Sequence, residues 1–218
     1  MAGRTMAILA RRPGGPEVLE WADVDTPDPG PGEVLVRQTA IGVNFLDTYY
    51  RSGLYPWPET PMIPGGEAAG VVEAVGEGVT SLRAGERVAY TTPYGAYRRQ
   101  RVLPANRLVR VPDVVSDAVV ASTMLKGLTV QYLVTSTFAV QPGHLVLVHA
   151  AAGGVGLLMG PWLKAIGAVA MERCYPSARR RKPIERSKRG KRPARPSLFD
   201  DRGMWGRPVL SSRRSHRP

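Results

Sequence analysis

Leu145-Val-Leu-Val-His-Ala-Ala-Ala-Gly-Gly-Val-Gly156 is the stretch on which the fold turns. Its first half is a short apolar run of the kind buried in a parallel sheet. Its second half is a loop of small residues, and Leu157–Ile166 continues with helical spacing. Strand, tight loop and helix in that order make the frame of a dinucleotide-binding turn. Ala150-Ala-Ala-Gly-Gly-Val-Gly156 is a variant of that fingerprint, with Ala150 where the first glycine stands. Gly153 lets the backbone approach a pyrophosphate, and Gly156 lets the helix pack closely on the strand. The helix N-terminus adds amide donors and a partial positive charge. Pro161 falls inside the helix, where it removes one hydrogen bond and costs about 3 kcal/mol unless the helix kinks.

Upstream the texture differs. Ser116–Leu125 and Gly127–Phe138 have helical spacing, with Ser116 as N-cap. Before them, Thr5–Ala10, Val34–Val43, Ala68–Val75, Arg87–Thr92, Ala96–Leu103 and Leu108–Val111 read as short strands between Gly/Pro turns. Asn44–Ser52 reads as a short helix after one of them. Irregular spacing favours a partly open barrel over a repeat. The chain is therefore expected to be α/β in class.

Charge divides the sequence more sharply than hydrophobicity does. Residues 1–170 hold 14 basic and 14 acidic residues, whereas residues 171–218 hold 16 basic and 4 acidic, so the whole surplus of 12 lies in the last 48. A basic excess that points to nucleic acid or anionic membrane thus speaks only for that segment. Cys174 is the single cysteine, which excludes an intramolecular disulfide and a cysteine metal cluster. No apolar run approaches the ~20 residues of a membrane span, and Met1–Arg12 lacks an apolar signal-peptide core. A soluble cytoplasmic protein is the expectation.

Four blocks carry a resemblance. Ala40-Ile-Gly-Val-Asn-Phe-Leu-Asp-Thr-Tyr-Tyr-Arg-Ser-Gly-Leu-Tyr55, Pro64-Gly-Gly-Glu-Ala-Ala-Gly70, Leu125-Lys-Gly-Leu-Thr-Val130 and His149-Ala-Ala-Ala-Gly-Gly-Val-Gly156 stand in family order. Together they resemble the zinc-free medium-chain reductases of the NADPH:quinone reductase (zeta-crystallin-like) family, over about the first 168 residues. The resemblance implies a GroES-like β-barrel domain over 1–115. It implies a helical link and the first βα unit of an incomplete Rossmann domain over 116–168, with the active site in the cleft between the two. It implies NADPH as cofactor and hydride transfer to a quinone or another electron-poor acceptor.

By the same resemblance Asn44 sits near the nicotinamide, and Tyr49 and Tyr55 line the acceptor side as the catalytic set. Leu125 and Thr129 touch the cofactor, and Gly153, Gly154 and Val155 face its pyrophosphate. Asp47 is read as structural, capping its helix, and His149 as structural at a buried strand end. The zinc-containing relatives place Cys where Asn44 stands and His where Gly66 stands, so no metal is expected; Glu67 alone is not a site. A related zinc-free enoyl reductase is the nearest alternative activity, and a non-enzymatic basic nucleic-acid-binding remnant the alternative outside enzymes.

Residues 169–218 break the pattern: Arg/Pro/Ser-rich text with no sustained period, read as a disordered basic tail or as a gene read out of frame. An acquired basic arm is the other reading, with no specific nucleic-acid partner expected. The break predicts little or no reductase activity in this chain and no family homodimer. It also predicts that another frame, downstream of the codons for Ala165-Ile-Gly-Ala168, encodes a second parallel strand and further βα units with balanced charge. Sequencing the coding DNA checks this; closed or patternless alternative frames would leave the tail as a real segment.

Overall fold

The structure is a computed structural model, and it describes residues 3–172. Of the tail predicted over 169–218, disordered or out of frame, residues 173–218 lie outside the described residues. The described residues belong to one compact unit.

β1 (Gly3–Leu9) and β2 (Glu20–Thr26) form an antiparallel ribbon in register from Gly3–Thr26 to Leu9–Glu20. Beside it lies a five-stranded antiparallel sheet in the order β6-β3-β4-β5-β7. Its strands are β3 (Glu33–Gly42), β4 (Glu67–Val75), β5 (Arg87–Thr91), β6 (Gln100–Pro104) and β7 (Val109–Arg110). Alternation in β3 turns Val34, Val36 and Gln38 inward. The two valines join Val72, Val88, Tyr90, Leu103 and Leu108 in the core. Gln38 is the polar exception, and it is satisfied: its amide donates to the carbonyls of Ala96 and Arg98, and its oxygen accepts the Tyr90 hydroxyl at 2.6 Å.

The described strands do not close into a barrel. β6 and β7 are edges, and the ribbon joins the rest through the bridges Ala7–Arg98 and Ala10–Met62 and by packing Ala7 and Leu9 on Ile63 and Tyr97. The expected strand Ala96–Leu103 is shortened to Gln100–Pro104; its N-terminal half pairs with the ribbon instead, Tyr97 O accepting from Ile8 N at 2.8 Å and Arg99 N donating to Met6 O at 2.9 Å. β2 was not expected at all. Its sequence, Glu-Trp-Ala-Asp-Val-Asp-Thr, buries only Thr26, so it carries almost no apolar signal and is held by pairing with β1.

α1 (Phe45–Ser52) follows β3 and ends on Gly53 in the left-handed region. The two helical stretches expected after Ser116 are one rod, α2 (Asp117–Gln131), continued by a π-helical turn over Tyr132–Thr137. Ser116 caps it as expected, its side chain accepting from Val119 N. Asp117 in the first turn pairs with Arg87 of β5 at 2.6 Å. The rod of 21 residues has a mean hydropathy of 1.2 and is long and apolar enough, by length and composition, to cross a membrane. Its apolar run is nonetheless broken by Lys126, so no uncharged stretch within this helix reaches the ~20 residues of a span. Here the helix packs on β3, β4, β5 and α3.

β8 (Leu145–Val148), α3 (Gly154–Ile166) and β9 (Val169–Glu172) complete the unit, with β9 parallel to β8 from Leu145–Val169 to Val148–Glu172. A second parallel strand thus exists in the present reading frame, beyond the predicted break at 168. It was hidden by its length of four residues and by the charge of its neighbours. Val148, Met159, Leu163 and Ala168 pack with Val130 and Val134. The other face of the pair stays bare among the described residues, leaving Leu145, Leu147, Val169 and Met171 exposed. The strand expected to be buried is therefore covered on one side only, and His149 is exposed, not packed at a buried strand end.

Ala150 occupies the left-handed region with φ 53°, at the position where the fingerprint has glycine. An L side chain there costs about 1–2 kcal/mol, partly offset by the greater freedom of glycine in the unfolded chain. Ala150→Gly is expected to stabilise by about 0.5–1 kcal/mol. A Cβ on Gly156 would stand 2.4 Å from Ala151 Cα and 2.6 Å from Ala150 O, so Gly156→Ala is expected to destabilise by about 2–3 kcal/mol. Urea unfolding followed by far-UV circular dichroism measures both; equal effects of the two changes would contradict this account of the loop.

Candidate functional site

Glu67 opens β4 inside the protein with no exposed surface. A carboxylate there must be hydrogen-bonded and neutralised or it destabilises the fold by several kcal/mol. Three residues from two elements supply its donors. Leu125 N of α2 reaches Oε2 at 2.7 Å, Asn44 Nδ2 reaches Oε1 at 2.8 Å, and Lys126 Nζ lies 3.2 Å from Oε1. Lys126 also donates to Asn44 Oδ1 at 2.7 Å and to Ser122 O at 3.2 Å. Both ends of the Asn44 amide are therefore fixed, nitrogen to the carboxylate and oxygen to the ammonium.

Asn44 stands at the start of α1, where its backbone N–H donates to Asp47 Oδ2 at 2.8 Å. Asp47 thus caps its helix, and it also accepts the Tyr97 hydroxyl at 2.9 Å. Its Oδ1 is buried without a partner. Burial pushes the Asp47 carboxyl above the ordinary range, against the lowering effect of its two donors. Burial and the neighbouring Asp47 likewise push the Tyr97 hydroxyl far up. A cavity of about 150 Å³ borders Val43, Asn44, Asp47, Thr48, Pro64 and Tyr97.

The glycine loop reaches this cluster through one side chain. A Cβ on Gly154 would meet Lys126 Cδ and Cε at 2.9 Å, so the lysine stem lies flat against the first residue of α3. Gly153 and Gly154 are exposed and Val155 is half-buried. Thr129, one turn beyond Leu125 on α2, donates to Leu125 O at 2.9 Å. Asn44, Leu125 and Gly154 therefore converge around Lys126, with Thr129 next along the helix.

Tyr49 and Tyr55 come together elsewhere, 5.4 Å apart between ring centroids, with Phe45 at 5.2 Å from Tyr49 and Tyr50 at 5.6 Å from Tyr55. Tyr94 extends the group, 6.1 Å from Tyr50. Sequence reading missed Tyr50, Tyr94 and Tyr97, and left Glu67 and Lys126 without a role. A charge inside the small-residue run Gly-Gly-Glu-Ala-Ala was the available signal for a buried pair. For a metal the donor set does not fit. Asn44 and Gly66 supply no strong ligand, both Glu67 oxygens are engaged beside a cation, and no group of three His, Cys, Asp or Glu residues gathers among the described residues.

Residues 30–113 match the family model of the alcohol dehydrogenase GroES-like domain. The chain is 55% identical over 155 residues to a quinone oxidoreductase of Pseudomonas aeruginosa, covering 71% of this chain and 48% of that one. It is 49% identical over 170 residues to a 2-haloacrylate reductase of a Burkholderia species, covering 75% and 51%. The crystal structure of Escherichia coli quinone oxidoreductase complexed with NADPH superposes with a TM-score of 0.74 at 44% identity, over 77% of this chain and 52% of that one. Over the half of those proteins that it covers, the chain is similar to zinc-free NADPH:quinone oxidoreductases (zeta-crystallin-like) of the medium-chain reductase kind. It spans about half the length of the curated relatives it matches.

Lys126→Met leaves Glu67 buried without its cation and is expected to destabilise by about 3 kcal/mol. Adding Glu67→Gln should recover most of that loss; urea titration of single and double variants checks the coupling. Asp47 gives a prediction of opposite electrostatic sign. Its folded carboxyl holds a proton more tightly than the unfolded one, so its contribution is present at low pH and lost as pH rises through the folded value. The stability of Asp47→Asn relative to the unsubstituted protein should therefore increase as pH rises above about 4. A difference that stays flat with pH would show that burial does not govern this group.

Proposed function

We propose that this chain carries the acceptor-facing part of an NADPH-dependent quinone reductase. In this reading 1–115 is the GroES-like barrel domain, and 116–168, extended by β9, is the helical link and the opening strand–helix–strand unit of a Rossmann domain. The observation that carries it is the meeting of Asn44, Leu125 and Gly154 around Lys126, at the N-terminus of a helix reached through a glycine turn.

A dinucleotide pyrophosphate fits the start of α3. Its first amides have no intrahelical acceptor, Gly153 and Gly154 leave the backbone open to approach, and Lys126 adds positive charge beside Gly154. Gly153, Gly154 and Val155 would hold the phosphates, while Leu125 and Thr129 flank the nicotinamide end. The bound cofactor supplies a hydride. Asn44 presents an amide that Glu67 and Lys126 prevent from rotating, which fixes the side chain nearest the reacting ring. Tyr49 and Tyr55 line the acceptor side, offering flat apolar faces to a quinone and excluding water. The Burkholderia relative named for 2-haloacrylate reduction supports a second class of acceptor, an electron-poor alkene conjugated to a carbonyl.

Titrating the chain into NADPH and following nicotinamide fluorescence tests the reading. Saturable binding is expected, weakened at least tenfold by Gly154→Asp, which sets a carboxylate against the phosphates. Tyr49→Ala and Tyr55→Ala should leave NADPH affinity within about twofold while weakening quinone binding to the chain about fivefold, since stacking is worth about 1 kcal/mol. Failure of the unsubstituted chain to bind NADPH would sink the proposal.

A further inference from the structure

β8 and β9 are a parallel pair of four residues each, and they pair with no other strand among the described residues. Both outer edges therefore carry backbone N–H and C=O groups without a ladder partner. Parallel strands occur in sheets that are covered on both faces. One face here has its cover: Val148 packs with Val130 and Val134 of the α2 rod and with Met159 and Leu163 of α3. On the other face Leu145, Leu147, Val169 and Met171 are 62%, 51%, 54% and 46% exposed. A hollow of about 270 Å³ opens between the pair and the first half of α3, bordered by Val148, Leu157, Gly160, Pro161, Ala170 and Met171.

Whatever covers this surface has to meet two demands, apolar side chains and open strand edges. A small molecule or a lipid covers the side chains but offers no ladder to the edges. The segment that follows in this chain holds 16 basic and 4 acidic residues in 48, a composition unsuited to an apolar sheet face. A polypeptide with further parallel strands and crossover helices meets both demands, because the first strand of a doubly wound sheet lies inside it, flanked on either side. Length points the same way. This chain spans about half of each relative it matches, so a second half of similar size has no counterpart among the described residues.

We propose that the bare face and two open edges of the β8–β9 pair, with the hollow beside α3, dock a separate polypeptide of the same α/β kind, which completes the sheet in trans. The inference rests on reading β8, α3 and β9 as the opening unit of a dinucleotide-binding sheet. The partner adds apolar parallel strands to the ladder and lays a helix over Leu145, Leu147, Val169 and Met171.

The test mixes the full 218-residue chain with the unmatched half of the Pseudomonas aeruginosa quinone oxidoreductase, produced as a separate polypeptide. Sedimentation reads complex formation at about 0.5 M salt, where the Debye length is below about 10 Å and attraction to the basic residues is screened. A one-to-one complex with a Kd of about 1 μM or tighter is expected. Leu147→Asp puts a charge on the bare face and should weaken the complex at least tenfold. Leu157→Asp should do the same at the hollow; its carboxylate lies in the first turn of α3, where the helix dipole favours it, so folding is retained. Val109→Asp, at an exposed residue of β7 in the other sheet, should leave the affinity within about twofold. Nicotinamide fluorescence on the same samples separates this proposal from the reading it rests on. NADPH binding without a complex overturns the docking alone, whereas a complex that forms while NADPH fails to bind supports the docking and overturns the reductase reading. The docking is also overturned if both aspartate variants bind the partner like the unsubstituted chain. The same holds if the chain alone forms a stable dimer that Leu147→Asp dissociates, since the face would then join copies of this chain.

Discussion

The ion pair between Glu67 and Lys126 is the constraint around which the described structure is arranged. Glu67 has no exposed surface, so its charge can persist only where several donors converge. The three donors come from two separate elements, the residue before α1 and two successive residues of α2. Satisfying one carboxylate therefore fixes the start of α1 and the depth of α2 against the sheet. Gly42 is the steric condition for that arrangement: a Cβ there would lie 2.0 Å from Ala121 O and 2.3 Å from Glu67 Cγ. The lysine then carries the constraint onward, because its stem rests on Gly154 while its ammonium holds Asn44.

The two buried carboxylates, Glu67 and Asp47, are handled by different means. Glu67 has a cation, a backbone amide and a side-chain amide. Asp47 has a backbone amide and a phenol but no adjacent cation in hydrogen-bond contact, and one of its oxygens has no partner. Burial then dominates over hydrogen bonding for Asp47. The pairing locks the geometry on the Asn44 side, while Asp47 ties α1 to Tyr97.

Much of this was legible where a local pattern matched a local cause. The strands Glu33–Gly42 and Glu67–Val75, the Ser116 cap and the strand–glycine–helix turn were readable because alternation, capping and small-residue loops are short-range signals. Asp47 as a helix cap was readable for the same reason. Pairing over a distance was not. β2 exists because β1 supplies its ladder, and the Glu67–Lys126 pair joins residues 59 apart. β9 was lost because four residues give too short a window for a period, and the basic text after it dominated the composition. Exposure failed for a similar reason: an apolar run does not say which of its faces a neighbour covers, and Leu145 and Leu147 lie on the bare one.

Ala150 explains why the fingerprint survives without its first glycine. The left-handed turn is demanded by what surrounds it, since Gly153 N donates to Ala150 O at 2.8 Å and Gly156 leaves no room for a side chain beside Ala151. Alanine is the smallest residue that can carry that strain. The same logic applies to charge. The first 170 residues are neutral in sum, so any attraction for anions there arises from placement. Lys126 lies beside the amide-bearing end of α3. Net charge, which in this chain is set by residues 171–218, carries no information about that place. Local potential in a region of low dielectric depends on where single charges are held, and here Glu67 and Asn44 hold the ammonium beside the glycine loop.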